Sequence, residues 1–474
     1  MQDDWAYNEW CRTPLWDQRC RTTLVLSCQQ LAQQAQVSFS RALGSRRKAV
    51  SRILHHKETT PDTLLSGHVR ATALRCQAEE LVLIASDTTS YDFSTHKAVD
   101  GLGTISDKEY QRGFLVHSAL ALTTQGVPLG LLHQQSWVRD PGTFGSAQKR
   151  RERAFEDKES SKWLVALRAV EAALPATQKA LLLQDREADV FAFFAAPRRE
   201  GLHLLIRATQ PRRLEMEEGA EGGSQVRTVL EAVAQAPVVG SKTVAVRARP
   251  DREAREALLQ VRLTQVTICA PRSQTGSKAQ AGSKAQAKAA SVPVWMIRAC
   301  EETPSEGTHD PIEWVLLTTL PDVDAVLALR LVDYYALRWR IERFHYILKS
   351  GCGYEKLQLD RVDTLQKALS LYSVVAWRLL LLTSIAQATA DAPADEVLSN
   401  EVLSAVEREV LERSRGKPIH TAREALLAVA QLAGFVSVPS APLPGVKSLW
   451  LGFRKLQDIV TGYLLARNSL SPPI

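Results

Sequence analysis

Two short apolar runs, "LVLIASD" at 81–87 and "KALLLQD" at 179–185, each end in an aspartate and restrict the fold more than anything else in the chain. Apolar runs of this length read as buried central strands, which need cover from other elements. Between and around them, "GFLVHSALALT" (113–123) and "PLGLLHQQSW" (128–137) read as strands joined through the turn signal "TQGV". "KESSKWLVALRAVEAAL" (158–174) has helical periodicity, with Ser160 or Ser161 in its cap region. Helix-like "ADVFAFFAAP" and strand-like "LHLLIRA" (202–208) follow. The order is three strands, helix, strand, helix, strand, which predicts an α/β core.

A chain of 474 residues is too long for one simple core, so two to four domains are expected. With 45% apolar and 23% charged residues it reads as globular and soluble. The N-terminal "MQDDWAYNEW" lacks the charged-then-apolar pattern of a signal peptide. The richest apolar run, "LYSVVAWRLLLLTSIA", holds Arg378 and is expected to fall short of a membrane span, as a buried or subunit-contacting helix. Seven scattered cysteines with no CxxC pair argue against a disulfide framework or a cysteine zinc site, and fit reduced thiols in a cytoplasmic protein.

The net charge of +7 is modest, but its placement is not even. From Gln18 to Lys57 there is no acidic residue, while Arg19, Arg21, Arg41, Arg46, Arg47, Lys48, Arg52 and Lys57 are basic. A second cluster is Lys149, Arg150, Arg151 and Arg153. Segregated positive charge attracts a polyanion such as nucleic acid, although a solvated basic helix face looks the same in sequence.

The stretch "YALRWRIERFHYILK" (335–349) spaces Tyr335, Arg338, Glu342 and Lys349 at steps of three, four and seven. On one helix those steps share a stripe, roughly 115° around from the apolar stripe of Leu337, Ile341, Phe344 and Leu348. The apolar stripe would dock on the sheet and leave the polar one facing Asp87 and Asp185. Taken alone, Asp87 reads better as a turn aspartate, and Asp185 competes with Glu187 and Asp189 as a capping group. The stripe alone reads as a surface Glu–Arg pair. Together, three converging carboxylates would make an oxygen-ligand site for magnesium or manganese, suited to phosphoryl displacement.

These residues resemble bacterial cut-and-paste insertion-sequence transposases of the DDE type, with their Y-R-E-K motif. "DTTSYDFSTH", "SDKEYQRGFLVHSAL", "GLLHQQSW", "KESSKW", "QDREADV", "EWVLLTT" and "YYALRWRIERFH" are similar to that group's blocks and follow its order. "LAGF" with "SLWLGFRKLQ" resembles its dimerisation region. The resemblance implies a ribonuclease-H-like mixed sheet flanked by helices. It also implies a division into five parts. These are a helical DNA-end-binding domain (1–75), the first part of the core (76–208), a β-rich insertion (209–320), the second part of the core (321–370) and a helical dimerisation domain (371–474). The insertion would hold the repeat tract "GSKAQAGSKAQAKAA" (276–290), expected to be an exposed or disordered loop.

The resemblance assigns Asp87, Asp185 and Glu342 as catalytic metal ligands for two magnesium ions, with manganese as a substitute. Tyr335, Arg338 and Lys349 would contact phosphates near the cleaved end, Arg207 would be another DNA contact, Trp314 would receive a flipped base, and Trp339 would be its neighbour. Core packing is an equal account of Trp339 and a lesser one of Trp314. The family's basic run in the N-terminal domain is only partly matched, by Arg19 and Arg21. The implied activity is excision through a DNA hairpin and joining of 3′-hydroxyl ends to target DNA. It would be carried out on double-stranded inverted-repeat ends by a synaptic homodimer at the bacterial nucleoid, without a membrane or an organic cofactor. Two rivals are a stand-alone structure-specific nuclease and a non-catalytic DNA-binding derivative that represses or bridges transposon ends.

Overall fold

The computed structural model describes residues 5–33, 38–108, 110–139, 159–210, 212, 214, 228–246, 255–270, 291–302, 311–388, 391–398, 401–438 and 443–470. The repeat tract at 276–290 and the cluster Lys149–Arg153 lie outside these residues.

Ten strands form one sheet. They are β1 (Leu81–Asp92), β2 (Gly103–Thr104), β3 (Arg112–Leu122), β4 (Pro128–Trp137), β5 (Lys179–Gln184), β6 (Leu202–Arg207), β7 (Val238–Val246), β8 (Arg255–Cys269), β9 (Ser291–Cys300) and β10 (Glu313–Thr318). The spatial order is β2-β3-β1-β5-β6-β10-β9-β8-β7, with β4 also on β3. β4, β3 and β1 pair antiparallel, whereas β1, β5 and β6 pair parallel. That order and those directions, with helices on both faces, make a ribonuclease-H-like core. β10 joins β6 antiparallel and carries β9, β8 and β7 with it. The strands between 238 and 318 therefore extend the core sheet rather than building a second one.

Side chains alternate along a strand, so each central strand feeds two cores. Leu83, Ala85, Leu181, Leu183 and Leu205 face one way, where Ile341, Phe344 and Leu348 pack among them with residues of the Val362–Ala388 helix. Val82, Ile84, Ala180, Leu182, Leu204 and Ile206 face the other, under Trp163 and Leu167 of the Lys162–Ala173 helix and Phe193 and Phe194. Burial on both faces is why these strands read as unbroken apolar runs. Each fully buried Leu or Phe contributes roughly 1.5–3 kcal/mol.

The fatty run around Arg378 lies in a helix of 27 residues, Val362–Ala388. It proves longer than the sequence suggests, since its Val362–Ile385 portion is long and apolar enough to cross a membrane by length and composition. In the fold, 94% of its most apolar window is buried inside the protein. It packs on β4 and on two helices of the N-terminal region, Gln18–Gln33 and Pro61–Cys76.

The Pro61–Cys76 helix starts where Thr60 accepts from the Thr63 amide, with proline in its first turn, where a missing N–H costs nothing. It lies so close to β4 that a Cβ at Gly130 would come within 2.0 Å of the Thr72 hydroxyl. A buried polar cluster fastens the same joint. His68 shares its Nδ1 proton with Glu9 at 2.5 Å and accepts the Leu131 amide on Nε2 at 2.9 Å. Arg75 pairs with Glu9 at 2.7 Å and donates to the Leu129 carbonyl at 2.6 Å.

At the other end of the chain, helices Glu401–Arg415, Ala422–Leu432 and Val446–Leu470 enclose a separate small core with Leu411, Leu426, Val429 and Leu456. Gly452 permits the last two to cross, since a Cβ there would meet the Val429 carbonyl at 2.0 Å.

Candidate active site

β1 does not stop at Asp87 but runs on to Asp92, so this aspartate lies within a strand rather than at its end. Its neighbour is what stops. β1 pairs with β5 only as far as Ala85 opposite Leu183, while its pairing with β3 continues past Asp87, which lies opposite Ser118. Two residues beyond that last pair stand Asp87 on one strand and Asp185 directly after the other. The equal step gives both the same facing as Ala85 and Leu183, the side on which Ile341 and Phe344 pack. Asp185 also caps the short turn Arg186–Ala188, accepting the Glu187 amide at 2.9 Å. One carboxylate thus serves as a cap and stands at the sheet's mouth.

The stripe from Tyr335 to Lys349 is not one continuous helix. Tyr335 ends the helix Ala325–Ala336, Glu342 lies in Trp339–Tyr346, and Lys349 lies in the π-helical turn Ile347–Gly351. At the first joint the amides of Arg338, Arg340 and Ile341 bond three residues back, which tightens the chain without proline or glycine. The apolar stripe docks as expected, with Ile341, Phe344 and Leu348 buried and Leu337 partly so.

The polar groups gather on the aspartates. Arg338 is 7% exposed and pairs with Glu342 at 2.5 Å. It also shares a hydrogen bond with the Tyr335 hydroxyl and feels the charge of Asp87. Burial alone would weaken its hold on the proton, but Tyr335, Glu342 and Asp87 together raise its pKa. Burial pushes the Asp185 carboxyl up, and the charges of Asp87 and Glu187 push it further, against the Glu187 amide and Arg338. The like charge of Asp87 thus disfavours the ionised form of Asp185, and Arg338 offsets this only in part.

Lys349 is further along. Burial lowers its pKa against the pull of Glu355, Asp92 and Asp87, and its ammonium lies 5.6 Å from the Tyr91 ring centre. His345 was missed as a candidate from sequence. Its Nδ1 sits 3.7 Å from Asp87 Oδ2, and its buried Nε2 has no hydrogen-bond partner among the described residues. The signal was its position, one turn after Glu342. Arg207, at the end of β6, reaches Tyr335 electrostatically and donates to the Glu313 carbonyl at 3.0 Å.

The two tryptophans exchange the weights the sequence suggests. Trp314 packs against the core, edge-on to Tyr335 at 5.6 Å, whereas Trp339 is 46% exposed with the Arg338 guanidinium 5.5 Å from its ring centre. Arg19 and Arg21 lie at the start of the Gln18–Gln33 helix, where Arg21 holds the Leu15 carbonyl; none of their hydrogen bonds leads to the carboxylates. The Arg47–His55 helix buries Val50, Ile53 and Leu54 and exposes Arg47, Lys48 and Arg52, making a basic face.

Among the described residues no group of three His, Cys, Asp or Glu side chains is arranged to hold a metal ion. Glu342 is held by Arg338. The donors nevertheless suit a hard divalent cation in kind, being all carboxylate.

A cryo-EM structure of a piggyBac transposase synaptic complex with hairpin DNA is among the solved structures similar to this chain. The TM-score is 0.37 and the identity 8%, over 96% of this chain and 73% of that one. So loose a likeness supports no argument. The sequence match is more definite: residues 158–377 fit the family model described as the transposase DDE domain. That span includes Asp185, Arg207, Trp314, Tyr335, Arg338, Trp339, Glu342 and Lys349, while Asp87 precedes it. Residues 158–377, just under half of the chain, are thus similar to the transposase DDE domain.

Proposed function

We propose that this protein is a DNA transposase that cuts its element free at inverted-repeat ends and joins the 3′-hydroxyls to target DNA. What supports this is Asp87 and Asp185, each two residues past the last β1–β5 pair, with Arg338, itself bonded to Glu342, acting on the charge of both. DDE domains work with divalent metal ions. Asp87, Asp185 and Glu342 would hold two magnesium ions, or manganese in their place, which would activate the attacking hydroxyl and stabilise the leaving oxygen.

The chain's own groups do the rest. Arg338 and Tyr335 grip the phosphate at the cut, and Arg207 and Lys349 hold its neighbours. Burial of Arg338 strengthens that grip by excluding water. In a hairpin intermediate the terminal bases crowd, and an extruded base would stack on a tryptophan of the Trp314–Trp339 pair. The exposed basic face of the Arg47–His55 helix, with Arg19 and Arg21, would bind the repeat. Two ends cut together call for a homodimer, and the Val446–Leu470 helix exposes Ile459 and Leu465 for such a contact. The protein would act on the bacterial nucleoid.

The test is a labelled duplex carrying one terminal inverted repeat from the DNA flanking the coding region, incubated with protein and magnesium. A nick and then a hairpin from wild type, absent with Glu342→Ala, are expected on a denaturing gel. A duplex bound but uncut by both would instead identify a non-catalytic end-binding derivative.

A further inference from the structure

Arg207 borders two places. Its charge acts on Tyr335 beside the carboxylates, and it also lines a cleft of about 390 Å³ with Arg186, Arg298 and Glu313. The wall includes Leu230 and Val315. Three arginines and one glutamate thus line a partly apolar cleft. Arg298 engages Glu313 at 2.7 Å and comes within 3.9 Å of Glu302, while Arg207 donates to the Glu313 carbonyl at 3.0 Å. Arg186 is exposed and has no ion pair among the described residues.

The excess charge is not spread over a solvated face. It is gathered in a concave site whose apolar wall sharpens the field, and such a site attracts an anion. Its position narrows the ligand. Arg186 directly follows Asp185, in the turn that Asp185 itself caps, so the cleft starts one residue from the candidate cutting site. Planar guanidinium groups on neighbouring elements suit the paired oxygens of a phosphodiester.

We infer that this cleft is a phosphate-binding subsite for the DNA strand that continues past the carboxylates, with Arg186 and Arg298 as its contacts. It depends on the chain being a DNA-cutting enzyme.

The test uses the full chain and the inverted-repeat duplex, with affinity measured by fluorescence anisotropy across a salt series. Arg186→Ala removes an exposed, unpaired side chain, so the fold is kept. Arg298→Gln is the second variant, and Lys417→Ala, an exposed cation on the C-terminal part, controls for net charge. Both arginine variants should weaken binding several-fold and flatten the salt dependence by about 0.9 in log–log slope per lost contact. A methylphosphonate at the contacted position should weaken wild type but not Arg186→Ala. If Arg186→Ala and Arg298→Gln keep the wild-type slope while Asp185→Ala abolishes cutting, the subsite is wrong and the transposase assignment stands. If wild type neither binds nor cuts the duplex, both fall.

Discussion

Arg338 donates to Glu342 across 2.5 Å, and this pair stands between the third acid and any cation that Asp87 and Asp185 would share. Arg338 is nearly buried, and its Nε has no hydrogen-bond partner among the described residues. A DNA phosphate arriving at Arg338 would compete with Glu342 and free its carboxylate. Manganese should therefore bind more tightly when the inverted-repeat duplex is present. Arg338→Ala should bind manganese without that dependence, while cutting roughly 10–100-fold more slowly, as expected for a group that orients a ligand. Titration calorimetry of both proteins, with and without duplex, reads this directly. Identical manganese affinities for the two free proteins would show that the pair does not restrain Glu342.

Asp185 should cost the fold stability. Burial and the Asp87 charge raise its pKa above the ordinary carboxylate value, so the folded chain holds this proton more tightly than the unfolded chain. The group then favours the fold as pH drops through the raised value and penalises it at neutral pH. Asp185→Asn keeps the oxygen that caps the Glu187 amide and removes the charge. Its melting temperature should exceed that of wild type at pH 7, the gap should close towards pH 4, and cutting should be lost. A lower melting temperature at pH 7 would mean the carboxylate is stabilised by contacts stronger than its repulsion.

Much of this was legible because two periodicities fall on the same residues. The strands around Asp87 and Asp185 are buried on both faces, so they appear as apolar runs, and the docking stripe of Ile341, Phe344 and Leu348 keeps helical spacing. What was not legible depends on tertiary neighbours. Asp87 lies mid-strand because β3 continues beside it after β5 has stopped, and no local pattern in "LVLIASDTTSYD" encodes a partner's length. The break after Ala336 contains neither proline nor glycine, so nothing in its composition marks it. The exposure of Trp339 and the packing of Trp314 follow from which strand meets which helix. The fusion of β7–β10 onto the core sheet likewise rests on one pairing, β10 with β6.

The Glu9–His68–Arg75 cluster should hold the N-terminal helices to β4. Removing one partner strands buried charge, so Glu9→Ala should cost roughly 3–5 kcal/mol in urea unfolding. The pH dependence has a definite sign. Burial lowers the His68 pKa against the pull of Glu9, so the unfolded chain takes up the proton first and stability falls as pH drops below about 6.5. Burial raises the Glu9 pKa, but His68 and Arg75 bring it below the ordinary value. Its share of stability is present above about 4.5 and is lost as pH falls through its lowered value. His68→Gln should flatten the first part of this profile. A cost under about 1 kcal/mol for Glu9→Ala would show that the cluster is not what fastens the joint.

Of the two tryptophans, Trp339 should matter more to a displaced base and less to the fold. It is 46% exposed and already carries a cation, Arg338, near its ring, while Trp314 spends its edge on Tyr335 and the core. Base stacking on an aromatic contributes roughly 1–3 kcal/mol, and each 1.4 kcal/mol is about tenfold. Trp339→Ala should therefore slow hairpin formation about five- to a hundredfold while leaving the first nick and the melting temperature near wild type. Trp314→Ala should lower the melting temperature, though by less than the roughly 3–5 kcal/mol of a fully buried tryptophan. A duplex with 2-aminopurine at its terminal positions separates the roles, since an extruded base brightens in the groove and is quenched on stacking. Quenching that survives Trp339→Ala but disappears with Trp314→Ala would return the base to Trp314 and require the Trp314–Tyr335 contact to open when DNA binds.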